Sequence, residues 1–229
     1  MLITRTGTPG SGKTYHAIQQ LLYDIKKNDK VIYITNIPII YENVAKFIKK
    51  DLDYVTKRIK VYDNIYITPK LFYSYYYKYP DFSFKLIFDE ADDYLNSRLW
   101  QRGDRMEWLQ FLRMHRHLRF DVTLIAQMRK TLDKQILGLF DIDYSYRKVS
   151  KFGAIGTILW LFVRRIGYCV EIYVPVKARS HSSFFIFSKK IYKCYDSFTL
   201  RNYDSNFLDV DYKYIDYDDY SLSLKNEDE

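Results

Sequence analysis

The chain opens with a short β-prone run at residues 2–6 that leads directly into a glycine-rich stretch. Beyond it, Ala17, Leu21, Leu22 and Ile25 recur at the spacing of one helical face. A second apolar run at 31–35, stopped by Asn36 and Pro38, predicts a strand. Residues 41–80 are rich in Lys and Tyr and read as mainly helical. Residues 84–88 are apolar but for Lys85, the pattern of a strand covered on both faces of a parallel sheet. From 104 to 117, Met106, Leu109, Phe111 and Leu112 predict a helix, and 122–126 predicts a fourth strand ending at Gln127. Strands and helices alternate, which predicts an α/β domain with a mainly parallel central sheet up to about residue 150. The β-rich stretch 158–192 is expected to add a hairpin as a C-terminal extension.

At 229 residues and 48% hydrophobic content, the chain suits one domain with a substantial core. Its division is expected at about residue 200: 1–200 form the globular domain, and 201–229 an acidic, Tyr-rich, flexible tail. The longest apolar run, 152–163, ends at Arg164 and Arg165 and falls short of the roughly 20 residues a spanning helix needs, so no membrane span is expected. Cys169 and Cys194, without a signal peptide, fit a reduced cytosolic protein. Charge is unevenly spread. Residues 201–229 hold three basic and nine acidic side chains, so the first 200 carry +14 in a chain of net charge +8. A body this basic suits a polyanionic partner such as nucleic acid, and equally suits ordinary Lys-rich solubility.

Chemistry enters with Gly7, Thr8, Pro9, Gly10, Ser11, Gly12, Lys13 and Thr14, which fit G-x-x-x-x-G-K-[ST] between a predicted strand and a predicted helix. In such a loop, backbone N–H groups and the helix N-terminus cradle phosphates. Lys13 reaches the β- and γ-phosphates, and the Thr14 hydroxyl ligates Mg²⁺. The pair Asp89-Glu90 ends the third predicted strand, where an open α/β sheet has its ligand crevice. With the loop upstream, Asp89 is expected to hold the Mg²⁺ shell and Glu90 to activate the attacking water. Gln127, ending the next strand, is a candidate to read the γ-phosphate, with a solvated strand end as the alternative. An arginine reaching into a neighbouring subunit's site raises turnover by about 10³–10⁵-fold. Arg98, Arg102, Arg105, Arg113, Arg116 and Arg119 form the candidate set, with Arg113, Arg116 and Arg119 foremost. His115 and His117, two apart on a helix, do not face one another and are expected to pack rather than share a metal.

Taken together, these residues resemble the zonular occludens toxin (Zot) family, which includes assembly ATPases of filamentous bacteriophages. The resemblance rests on residues Gly7 to Thr14, on Thr35-Asn36-Ile37-Pro38 and on Ile87-Phe88-Asp89-Glu90-Ala91. It continues through His115-Arg116-His117, Phe120-Asp121-Val122 and the strand closing at Gln127, with a weaker echo at Tyr195-Asp196-Ser197-Phe198. It implies a RecA-like P-loop ATPase that uses ATP and Mg²⁺ and self-associates, as in a hexameric ring. It also implies action on single-stranded DNA during virion assembly and extrusion, beside phage coat or membrane proteins, at the inner face of the host cytoplasmic membrane. The family's usual transmembrane helix after the ATPase domain is not evident in this sequence.

Other readings stand beside this one. Asp89-Glu90-Ala91-Asp92 spells a helicase signature, but those enzymes need two such domains and the length supplies about one. A GTPase lacks its base-reading Asn-Lys-x-Asp sequence here. Another DNA-translocating or packaging ATPase, a small-molecule kinase with an Arg-rich lid, and a non-hydrolysing subunit all share the same phosphate loop.

Overall fold

The structure is a computed structural model and describes residues 1–96, 104–148, 166–174 and 180–196. In chain order it runs β1 (Leu2–Gly7), α1 (Lys13–Ile25), β2 (Val31–Thr35), α2 (Tyr41–Ile48), α3 (Leu52–Arg58), β3 (Ile59–Val61) and α4 (Pro69–Lys78). It continues through β4 (Ser83–Phe88), α5 (Arg105–Met114), β5 (Phe120–Ala126), α6 (Lys134–Leu137), β6 (Ile142–Arg147), β7 (Ile166–Tyr173) and β8 (Ser180–Ile186) to a helical turn at Lys189–Tyr192. Among the described residues, eight strands make one sheet in the order β3-β2-β4-β5-β1-β6-β7-β8. The pairs from β3 to β6 are parallel, and β7 and β8 add an antiparallel hairpin at the β6 side.

Period-2 alternation sorts the strand residues onto two faces. On one face Ile32, Ile34, Phe84, Leu86, Phe88, Val122 and Leu124 pack with α4, α5 and α6. On the other, Val31, Tyr33, Ile87 and Ile125 pack with α1, α2, α3 and the hairpin. Aromatic contacts dominate the first layer: Phe72 lies 4.5 Å from Phe111 and 5.4 Å from Phe120, centroid to centroid. Each such ring, fully buried, contributes about 1.5–3 kcal/mol. The α/β architecture and the mainly parallel sheet expected from the sequence are present, as is the hairpin.

Two strands escape the hydrophobic pattern. β3 is three residues long at the sheet edge, inside the stretch expected to be mainly helical. β6, Ile142–Arg147, carries Asp143, Tyr144, Ser145 and Arg147 and so does not read as apolar. Asp143 is tolerated in the interior because its carboxylate accepts a 2.7 Å hydrogen bond from Thr4 Oγ1 on β1. Among the described residues no helix is long and apolar enough to cross a membrane. The apolar run 152–163 and the acidic tail 201–229 lie outside the described residues.

Candidate functional site

Because β1, β2, β4, β5 and β6 are parallel, their C-terminal ends meet along one edge of the sheet, where open α/β folds place their ligands. Five residues that immediately follow or close these strands gather there: Gly7, Asn36, Asp89, Gln127 and Lys148. The loop from Gly7 to Gly12 bends off β1 and enters α1 at Lys13, which is buried. Gly12 adopts φ +94°, a left-handed conformation that favours glycine. At Gly7 a Cβ would stand 2.6 Å from the Tyr146 carbonyl oxygen, so glycine lets the loop leave the sheet flush against β6.

Lys13 Nζ donates to the Gly7 carbonyl at 2.6 Å and to the Thr8 carbonyl at 3.4 Å, which holds the ammonium inside the curve of the loop. Burial lowers its pKa, against the opposing pull of Asp89, Asp92 and Glu90. Thr14 Oγ1 donates to Asp89 Oδ2 at 2.8 Å, so the first turn of α1 and the end of β4 are in direct contact. Buried Ser11 Oγ has no hydrogen-bond partner, an orphan polar group inside a loop shaped for an anion. A phosphate chain and a magnesium ion fit this donor set. The loop supplies donors, Lys13 a cation, and Thr14 with Asp89 a hydroxyl and a carboxylate a hydrogen bond apart.

Glu90 follows Asp89 in the left-handed region at φ +55°, and its N–H donates to Asp89 Oδ1 at 2.9 Å. The Asp89 backbone is gripped from the next strand. Asn36 Nδ2 donates to the Asp89 carbonyl and Asp89 N donates to Asn36 Oδ1, both at 2.8 Å, with Asn36 buried. Beyond Glu90, Asp92 Oδ2 accepts from Gln127 N and from Thr131 Oγ1, each at 3.2 Å. Gln127 O accepts from Gly7 N at 3.2 Å. The backbone of Gln127 thus bridges the acidic turn and the phosphate loop, while its side chain is exposed.

The arginines are placed differently. Arg119 immediately precedes β5 at the opposite edge of the sheet, where its Nη2 donates to the carbonyls of Tyr76 and Tyr79 and its guanidinium lies 4.8 Å over the Tyr76 ring. Arg116 faces Asp141 at 3.6 Å at that same edge, and Arg113 is exposed on the last turn of α5. None of the three approaches the phosphate loop of its own chain. Arg105 pairs with Asp133 at 2.8 Å, and Arg98 and Arg102 lie outside the described residues. His115 is buried, with Nδ1 2.7 Å from the Leu112 carbonyl oxygen, and among the described residues no cluster could hold a metal through His, Cys, Asp or Glu groups alone.

Sequence reasoning located the loop, Asp89, Glu90 and Gln127. It named Asn36 as the stop of a strand and within a resemblance, named Asp92 only within a helicase-like tetrapeptide, and did not name Lys148. The signal for Asn36 was its position directly after a strand, the same signal that flagged Asp89.

No curated protein matches the sequence. Among solved structures, the N-terminal domain of zonular occludens toxin from Neisseria meningitidis is similar, with TM-score 0.55 and 23% identity over 85% of this chain and 98% of that one. The genome packaging NTPase B204 of Sulfolobus turreted icosahedral virus 2 in complex with AMPPCP gives TM-score 0.52 and 16% identity over 82% and 98%. A DnaB-like replicative helicase gives 0.59 and 12% over 83% and 56%. These likenesses are of fold, and the fold is the RecA-like P-loop type. The family model described as zonular occludens toxin (Zot) matches residues 1–165, well over half of the chain, and the chain belongs to the zonular occludens toxin (Zot) family.

Proposed function

We propose that the chain is an ATP-hydrolysing motor that supports filamentous phage assembly by driving single-stranded DNA extrusion at the inner face of the host cytoplasmic membrane. The observation that carries the ATPase reading is the junction of phosphate loop and acidic strand end, Thr14 Oγ1 to Asp89 Oδ2 at 2.8 Å, with Glu90 next in the chain. The DNA and assembly parts draw support from family membership, from the likeness in fold to a genome packaging NTPase and a replicative helicase, and from the +8 net charge.

In this reading the Gly7–Thr14 N–H groups and Lys13 bind the β- and γ-phosphates. Magnesium would be held by Thr14 and the Asp89 side, and supplies neutralisation of charge building on the phosphates. Glu90 accepts a proton from the attacking water, and its left-handed backbone turns the chain at the strand end. Asp89 and Asn36 fix that backbone. Gln127, which closes the neighbouring strand at the same edge, is the residue whose amide would read the γ-phosphate. A neighbouring subunit in a ring supplies a further cation, for which exposed Arg113 and Arg116 are better disposed than Arg119, whose guanidinium is engaged within its own chain.

The test is steady-state ATP hydrolysis by wild type, Lys13→Ala and Glu90→Gln, with and without single-stranded DNA, across a protein concentration series. Turnover is expected to rise with concentration and DNA, to vanish in both variants, and to leave ATP bound to Glu90→Gln. Unchanged turnover in both variants refutes the assignment. DNA binding is expected to weaken steeply with salt as phosphate contacts release counterions, and salt-insensitive binding refutes that part.

A further inference from the structure

We propose that Lys148 is a second cationic ligand for the terminal phosphates, supplied by the same chain as the phosphate loop; this rests on the nucleotide reading above. The placement follows from sheet register. β6 runs parallel to β1 with Gly7 opposite Tyr146, so the chain two residues further on has risen to the height of the loop. Side chains two apart on extended backbone share a face. Tyr146 packs into the layer that contains α1 and the hairpin, so Lys148 projects to the side on which the loop turns into α1. There it reaches the loop itself: a Cβ built on Gly10 would lie 3.3 Å from Lys148 Nζ and 3.5 Å from its Cε.

Gly10 is exposed and takes φ +70°, so its surface is the open rim of the loop and not its buried floor. Lys13 occupies the inside of the curve, bonded to the Gly7 and Thr8 carbonyls. Asp89 approaches from the β4 side, two strands from β1 on one flank, whereas Lys148 comes from β6 on the other. The loop is therefore bracketed by carboxylates on one flank and an ammonium on the other. Among the described residues Lys148 forms no ion pair, and its side chain is exposed, so it is available to a phosphate. A phosphate chain seated on the loop has its oxygens within reach of both lysines, one from below and one across the rim. An in-chain cation here supplies charge neutralisation that the arginines at the far edge of the sheet do not supply to their own site.

The experiment compares the full-length wild type, Lys148→Ala and Lys148→Arg. It measures competition binding of a non-hydrolysable ATP analogue and of AMP, together with ATP turnover at saturating substrate. Lys148→Ala is expected to weaken the ATP analogue or slow turnover by roughly ten- to a hundredfold, the scale of one lost charged hydrogen bond. AMP affinity and melting temperature should stay at wild-type values, and Lys148→Arg should recover most of the loss. Wild-type behaviour of Lys148→Ala in both binding and turnover overturns the proposal, as does an equal loss for AMP and the ATP analogue. Wild type that binds no ATP overturns the nucleotide reading and this proposal with it, an outcome distinct from the other two.

Discussion

Replacing Asn36 with Ala removes a buried side chain that holds both backbone groups of Asp89. Three hydrogen bonds are lost, two of 2.8 Å from Asn36 Nδ2 to the Asp89 carbonyl and from Asp89 N to Asn36 Oδ1, and one of 2.5 Å from Asn36 Nδ2 to Asn64 Oδ1, in a site where Asn36 is 6% exposed. A buried polar group left without a partner costs about 1–3 kcal/mol. Partial relaxation of the two groups makes a total of about 3 kcal/mol reasonable, which for a chain of this size lowers Tm by roughly 6–12 °C. The functional cost is separate. The Asp89 carbonyl belongs to the peptide that sets the direction of Glu90, whose φ of +55° is sustained only by its surroundings. Turnover should fall more than tenfold at a temperature where the variant is folded, while ATP affinity, set mainly by the phosphate loop, changes little. Asn36→Asp sharpens the reading, since it keeps the acceptor for Asp89 N but sets a second oxygen against the Asp89 carbonyl. It should lose turnover as severely as Ala. Urea unfolding and steady-state hydrolysis on the same preparations decide the matter. An Asn36→Ala protein within about 0.5 kcal/mol of wild type, the range of ordinary surface substitutions, and with unchanged turnover refutes the clamp.

Three further outcomes are expected. Gly12→Ala should cost at least about 1–2 kcal/mol for its left-handed φ alone; its Cβ would also meet Phe185 and Phe187 Cζ at 2.9 Å, so Phe187→Ala should restore part of the loss in urea unfolding. Burial and the nearby Arg5 hold the His16 pKa at about 3. Between the unfolded value near 6.5 and that value, the unfolded chain binds a proton that the folded chain does not. Stability is therefore full above pH 6.5 and falls as the pH drops towards 3, by at most about 1.4 kcal/mol per unit, and His16→Gln should flatten that slope. Arg119→Ala should lose about 1–3 kcal/mol with its two carbonyl bonds and keep its turnover; lost turnover at full stability would instead mark Arg119 as the cation a neighbouring subunit supplies.

Legibility in the sequence followed burial. β2, β4 and β5 are covered on both faces, so their apolar runs were readable, and the residue that breaks each run stands at the ligand edge of the sheet. Asp89 and Gln127 were found that way. β6 failed the same test because its interior side chains satisfy one another across strands: Asp143 is bonded to Thr4, and the Tyr146 hydroxyl accepts from Arg5 on β1. Without β6 there was no reason to look at Lys148, its next residue. The contact of Asp92 was illegible for a different cause, since its carboxylate accepts from the backbone N–H of Gln127, 35 positions away, and no local pattern encodes such a bond. The arginines were expected to serve a neighbouring subunit's site, and in their own chain Arg116 and Arg119 lie at the sheet edge away from the loop.

The C-terminal hairpin is more than an added edge. β8 delivers Phe185 and Phe187 onto Gly12, and Tyr15, one residue past Thr14, donates to the Ile186 carbonyl at 3.1 Å and accepts from Ser188 N at 2.7 Å. The chain then returns across the sheet, where Ile40 N donates to the Cys194 carbonyl at 2.9 Å, Asp196 N donates to the Pro38 carbonyl at 3.0 Å, and Tyr195 bridges Ile39. Pro38 lies two residues beyond Asn36, the clamp on Asp89. One segment, residues 185–196, is therefore bonded to the first turn of α1 at one end and to the support of the acidic turn at the other. A shift of α1 is therefore resisted both by that segment and by the bond from Thr14 to Asp89. The packing of Phe185 against the Tyr15 and His16 rings, at 6.2 and 4.6 Å, makes the α1 end stiff. The hairpin therefore ties α1 to the strand end that carries Asn36, in parallel with the direct bond of Thr14 to Asp89.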